Sequence, residues 1–123
     1  MIQGFVNEKH EPIVDVVLIL RGKSRIFSAV IDTGFNGYLS VPEKHIANSS
    51  WFFLGYEEYE LASGEIVNAK TFLGDILFDD RKIQTFILSS PSEDILIGTR
   101  LFENKTLFID FVEKKVIVQE KVN

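Results

Sequence analysis

The chain reads as an all-β domain with one or two short helices, and three observations predict that class. Short runs rich in Val, Ile, Phe and Tyr recur along the sequence, and such side chains suit a pleated, half-buried strand. Turn residues separate the runs at hairpin spacing, at Arg21-Gly22-Lys23, Ala62-Ser63-Gly64 and Asp79-Asp80. The 123 residues are 46% hydrophobic and 25% charged with eleven Phe, which supplies apolar surface for a single core and argues against disorder. With no repeat, linker or low-complexity segment, residues 1–123 read as one domain.

Taken in order, Ile13 to Leu20 and Ser24 to Ile31 are the arms of a hairpin, and the second arm runs directly into Asp32. Ser40 to Ile46 carries a weak helix signal, with Ser40 as N-cap and Pro42-Glu43 in the first turn. Tyr56 to Leu61 and Glu65 to Leu73 form a second hairpin around Ala62-Ser63-Gly64. Ile76 to Phe78 and Ile83 to Leu88 are strands on either side of Asp79-Asp80. Thr99 to Asn104 makes one or two helical turns capped by Thr99. Leu107 to Phe111 and Lys115 to Gln119 close the chain as a last hairpin. Trp51-Phe52-Phe53-Leu54, the densest aromatic cluster, is expected in a core or a dimer contact.

Composition excludes several function classes. A net charge of −5 with scattered Lys and Arg argues against nucleic acid, whose phosphates demand a basic surface. The longest plain apolar run, Val16 to Leu20, is far too short to span a bilayer as a helix, so no membrane partner is expected. The start of the sequence lacks the basic head and apolar stretch of a secretory signal. Cysteine is absent, which rules out disulfides and thiolate metal sites and fits a reducing, cytoplasmic setting. His10 and His45 lack metal-ligand spacing, so neither a metal nor another cofactor is expected. No Gly-x-Ser-x-Gly surrounds any serine, and Gly34-Phe35-Asn36-Gly37 lacks the Lys-Ser/Thr of a phosphate loop and the third glycine of a dinucleotide fingerprint.

The residues that point to chemistry are Ala29-Val30-Ile31-Asp32-Thr33-Gly34-Phe35-Asn36-Gly37-Tyr38-Leu39. An apolar strand here delivers a carboxylate into a glycine turn, where the backbone allows close approaches that bulkier residues resist. The plain reading of such an aspartate is that it opens an Asx-turn. The sharper reading rests on resemblance. Asp-Thr-Gly after apolar residues resembles the active-site loop of the retropepsin-like aspartic proteases, and Leu96-Ile97-Gly98 resembles the later segment that crosses behind that loop. Phe35-Asn36-Gly37 with Leu39 and Pro42 looks most like the small prokaryotic members.

The resemblance implies a closed β-barrel half-enzyme whose catalytic residue is Asp32, with Thr33 and Gly34 supporting it and Leu96, Ile97 and Gly98 packed behind. It also implies a flap over the cleft, with Ala62, Ser63 and Gly64 at its tip and Phe35 near the substrate. Peptide hydrolysis in this class uses two carboxylates that share one proton, yet the chain holds one Asp-Thr-Gly loop. A homodimer would supply the second carboxylate, making the protein an aspartic endopeptidase acting on a peptide or protein substrate. The loop has Phe35 and Asn36 where retropepsins commonly have Ala and Asp, so Arg100 lacks the family's ion-pair partner and is expected to find another. Two other readings stand beside the enzyme: a non-catalytic dimeric module of the same fold that binds a peptide or protein, and a monomeric β-barrel that only looks like a half-enzyme.

Overall fold

The computed structural model describes residues 1–60 and 63–121, and strands dominate it. In chain order they are β1 (Ile2–Val6), β2 (Pro12–Leu20), β3 (Lys23–Ile31), β4 (Leu39–Pro42), β5 (Phe52–Glu60), β6 (Ile66–Phe78), β7 (Arg81–Ser90), β8 (Ile95–Ile97), β9 (Lys105–Asp110) and β10 (Lys115–Glu120). The helical pieces are α1 (Glu43–Ala47) and a single 3-10 turn at Thr99–Phe102. No helix among the described residues is long and apolar enough to cross a membrane.

The strands close on themselves. β6 pairs with β7, β7 with β4, β4 with β8, β8 with β3 and β3 with β2, and β2 returns to β6 through Val17–Leu77, Leu18–Ile76 and Ile19–Asp75. Six strands therefore form a closed barrel, which leaves no unpaired edge inside the ring. β5 extends the sheet outward from β6, while β1, β10 and β9 extend it from β2. Two pairings are parallel, β3 with β8 and β4 with β7, and they flank the antiparallel pair of β4 and β8.

Alternation along each strand decides what fills the ring. Val14, Val16, Leu18 and Leu20 of β2 point inward, where they meet Leu39 and Val41 of β4, Ile76 and Phe78 of β6, Ile87 of β7 and Ile97 of β8. Leu18, Leu39, Ile76, Ile87 and Ile97 are fully buried, and each such side chain contributes about 1.5–3 kcal/mol by leaving water. The hairpin turns are of the kind that matches strand twist. Arg21 and Gly22 have φ of 51° and 76°, and Asp79 and Asp80 have 52° and 60°, so both two-residue loops place two left-handed residues between their strands.

Four elements differ from the sequence expectation, each for a packing reason. β6 is one strand of 13 residues rather than two, because Gly74 does not break it. A Cβ on Gly74 would run into the Ile87 side chain and lie 2.8 Å from the Trp51 ring, so that glycine makes room for packing instead of a turn. Ser40 does not cap a helix: Leu39–Pro42 is a strand held between β7 and β8, and α1 starts only at Glu43, with Pro42 at the N-cap. The turn at Thr99 is capped by Gly98, without a side-chain hydrogen bond. The first strand, β1, has no counterpart in the sequence expectation, since its alternation is interrupted by Gly4, which sits where a Cβ would collide with the Ile13 carbonyl oxygen. Within the aromatic cluster only Trp51 reaches the core, its indole N–H donating to the Ile19 carbonyl at 2.9 Å, while Phe52, Phe53 and Leu54 are exposed.

Candidate functional site

The site grows from the end of β3. Its parallel ladder with β8 continues one residue past the strand, where the Asp32 N–H donates to the Ile97 carbonyl at 3.0 Å. The chain then turns sharply. The Phe35 N–H donates to the Asp32 carbonyl at 3.1 Å, and the Gly34 N–H donates to Asp32 Oδ1 at 3.0 Å. This is an Asx-turn, and it fixes the direction of the carboxylate while occupying one of its two oxygens. Among the described residues, Oδ2 accepts no hydrogen bond, and the side chain is half-buried rather than enclosed.

Beyond the turn, the loop is clamped to the segment after β8. The Gly98 N–H donates to the Tyr38 carbonyl at 2.9 Å, Thr99 N–H to Phe35 at 2.9 Å and Arg100 N–H to Gly37 at 3.1 Å. Such close backbone approach explains two glycines. A Cβ on Gly98 would collide with the Gly37 carbonyl oxygen, and one on Gly37 would lie 2.6 Å from the Phe35 ring. Neither residue has a left-handed backbone, so the demand is for space rather than conformation. The Phe35 ring therefore packs over the two glycines instead of projecting freely.

Beside this loop lies a cleft of about 810 Å³. One wall is the loop itself, including Gly34, Phe35 and Tyr38, with Phe86 of β7 beside Tyr38; the facing wall is Leu54 and Tyr56 of β5. Tyr38 and Phe86, which directly precede the paired Leu39 and Ile87, meet with ring centroids 5.9 Å apart. Thr71 of β6 is buried in the wall and its hydroxyl has no hydrogen-bond partner in the protein among the described residues. The charged side chains of the lining are Glu57 on β5 and Arg100. β5 bends as it enters this wall: the register with β6 slips between Phe53 and Gly55, and Gly55 takes a φ of 141°.

The residues singled out in the sequence fall in three places. Gly34 and Phe35 line the cleft, whereas Asp32 and Thr33 stand at its margin and are not part of the lining. Ile97 and Gly98 lie behind the loop, joined to it by the backbone bonds above, and Leu96 pairs with Val30 beside them. Ser63 and Gly64 belong to the β5–β6 turn, outside the cavity lining, with Gly64 at a φ of 86°. Ala62 lies outside the described residues. The partner left open for Arg100 is a backbone one: its Nε–H donates to the Asn36 carbonyl at 2.9 Å, and its guanidinium carbon sits 5.9 Å from the centre of the Tyr38 ring. Sequence reasoning misses Tyr38, Glu57, Thr71 and Phe86 as lining residues. Only the placement of β5 and β7 against the loop reveals them, although the Gly37-Tyr38-Leu39 continuation gives a local cue for Tyr38.

Among the described residues no group of three or more Asp, Glu or His side chains is arranged to hold a metal ion. Chemically, the arrangement offers a carboxylate oriented by a backbone N–H next to a cleft lined by both aromatic and polar side chains. No protein-family model matches the chain, and no curated protein matches it.

Proposed function

We propose that the protein is an aspartic endopeptidase of retropepsin-like architecture, active as a homodimer in which Asp32 from each copy forms the catalytic pair. The observation that carries this reading is the setting of Asp32: a carboxylate at a barrel-strand end, oriented by the Gly34 N–H, braced by Ile97 and opening beside a cleft. One such carboxylate is half of a hydrolytic site. Two brought together by a two-fold axis share one proton, because like charges a few ångströms apart do not both ionise readily. The ionised member takes a proton from water while the protonated member polarises the scissile carbonyl. Thr33, next to Asp32 in the turn, is then available to hold the two loops in register across the axis. The β5–β6 hairpin supplies a movable cover, since among the described residues β5 pairs only with β6.

The test is peptide hydrolysis at mildly acidic pH by the wild-type protein and by Asp32→Asn. Asparagine keeps an oxygen for the Gly34 N–H, so the variant is expected to fold with an unchanged melting temperature while cleavage drops about a thousandfold or more. Equal cleavage by both proteins contradicts the proposal. If the wild type binds peptides without cutting them, the binding-module alternative replaces the enzyme.

A further inference from the structure

Among the described residues Arg100 is the one cation of the cleft lining, and no carboxylate lies within ion-pair distance of it. It is exposed to solvent, yet it is not loose. The Nε–H is committed to the Asn36 carbonyl at 2.9 Å, and the guanidinium lies over the Tyr38 ring at 5.9 Å. Both contacts fix the plane of the fork without neutralising it, and they leave the terminal N–H groups available as donors. A guanidinium held in this way suits a carboxylate by two parallel hydrogen bonds, and little side-chain entropy remains to be lost on binding.

The surroundings narrow the ligand. Tyr38 and Phe86 meet beside Arg100, with Leu54 and Tyr56 on the facing wall, so the groups that enter next to the carboxylate are apolar. Glu57 lies on that facing wall and repels an anion, directing the acidic group to the loop side. We infer that Arg100 is a specificity-determining residue that selects peptides carrying a carboxylate flanked by apolar residues. The inference rests on the cleft being the peptide site of the proposed function, and it goes further by stating which peptides are chosen. The carboxylate has two possible sources, an internal Asp or Glu side chain or a free peptide C-terminus, and Arg100 would recognise the same group in either.

Direct binding separates this inference from catalysis. Fluorescently labelled ten-residue peptides with one central Glu or Gln between Leu and Phe, each with an amidated C-terminus, are titrated by anisotropy against the full Asp32→Asn chain. A further peptide carries Gln at the centre and a free C-terminal carboxylate. The Glu peptide is expected to bind about tenfold more tightly than its Gln counterpart, with the difference shrinking as salt rises. Tighter binding of the free-carboxylate peptide alone assigns the preference to a chain terminus. Arg100→Gln should erase the preference. Because that change also removes the bond to Asn36, a second variant, Asn36→Asp, keeps Arg100 and places a carboxylate on the residue that already holds it. It too should erase the preference.

An equal affinity for all three peptides, no measurable binding of any, or a preference that survives both variants overturns the inference. Peptides that bind with the preference but are never cut by the wild type leave the role of Arg100 standing and remove the endopeptidase. Cleavage with no preference does the reverse.

Discussion

The two walls of the cleft are built in opposite ways. The loop from Asp32 to Leu39 has its backbone tied to Ile97, Gly98, Thr99 and Arg100 by hydrogen bonds from a different part of the chain, and fully buried Leu39 anchors its end. The facing β5–β6 hairpin is tied down at one end: β6 pairs with β7 from Thr71 onward, but among the described residues β5 and the outer part of β6 (66–70) pair only with each other, and Phe52, Tyr56 and Ile66 are 60–69% exposed. Local stability tracks such differences, since segments with few buried contacts open at lower free energy than the global fold. A carboxylate that must point one way sits on the rigid wall. From the hairpin wall, Glu57 is the one carboxylate among the described residues that lines the cleft.

The glycines of the two walls offer the sharpest way to break this comparison. Gly98→Ala drives a methyl group into the Gly37 carbonyl, which is backbone and cannot swing aside. A loss of about 3 kcal/mol or more in urea unfolding is expected. A loss below about 1 kcal/mol would mean that the clamp is soft. Gly55→Ala meets no atom within 4 Å, and its cost arises from a φ of 141° that other residues rarely adopt. The expected loss is smaller, about 1–2 kcal/mol, and confined to the β5 bulge. Amide exchange should therefore quicken along β5 and leave residues 97–100 unchanged.

A weaker effect is predicted outside the cleft lining, at His45 on α1. Partial burial against Phe27, whose ring centroid is 4.6 Å away, together with Lys44 and Arg25, holds its imidazole below the usual value of 6.5, and Glu93 opposes them in part. The unfolded chain therefore binds this proton more readily than the folded one. Stability attributable to His45 is full above about pH 7 and declines as pH falls through the unfolded value toward the lowered folded one. His45→Phe should flatten that slope in a melting-temperature series from about pH 7.5 to 5, and an unchanged slope would assign the dependence elsewhere.

Local features of the fold are readable from the chain, and long-range ones are not. The Ile13–Ile31 hairpin, its turn at Gly22 and the last hairpin arise from alternation and turn residues that act between neighbours. Ring closure through β2 and β6 joins Val17 to Leu77, 60 positions apart, and no periodicity records such a pairing. Ser40 reads as a cap because Pro42-Glu43 is good helix-start chemistry, yet parallel pairing with β7 outweighs it. In the site, Asp32 stands out from its glycine turn, while its proximity to Gly98 comes only from resemblance. Arg100 attracts notice in the sequence for a missing partner and not as part of a cleft, since its position depends on the carbonyl of Asn36.

One mixing experiment tests the central claim that each copy contributes a single carboxylate. Wild-type and Asp32→Asn chains are combined under conditions that let subunits exchange, and peptide cleavage is followed at constant total protein. If both aspartates of a pair are required, activity falls as the square of the wild-type fraction, reaching about a quarter at an equal mixture. A linear fall to about half, or no cleavage by the wild type itself, would contradict it.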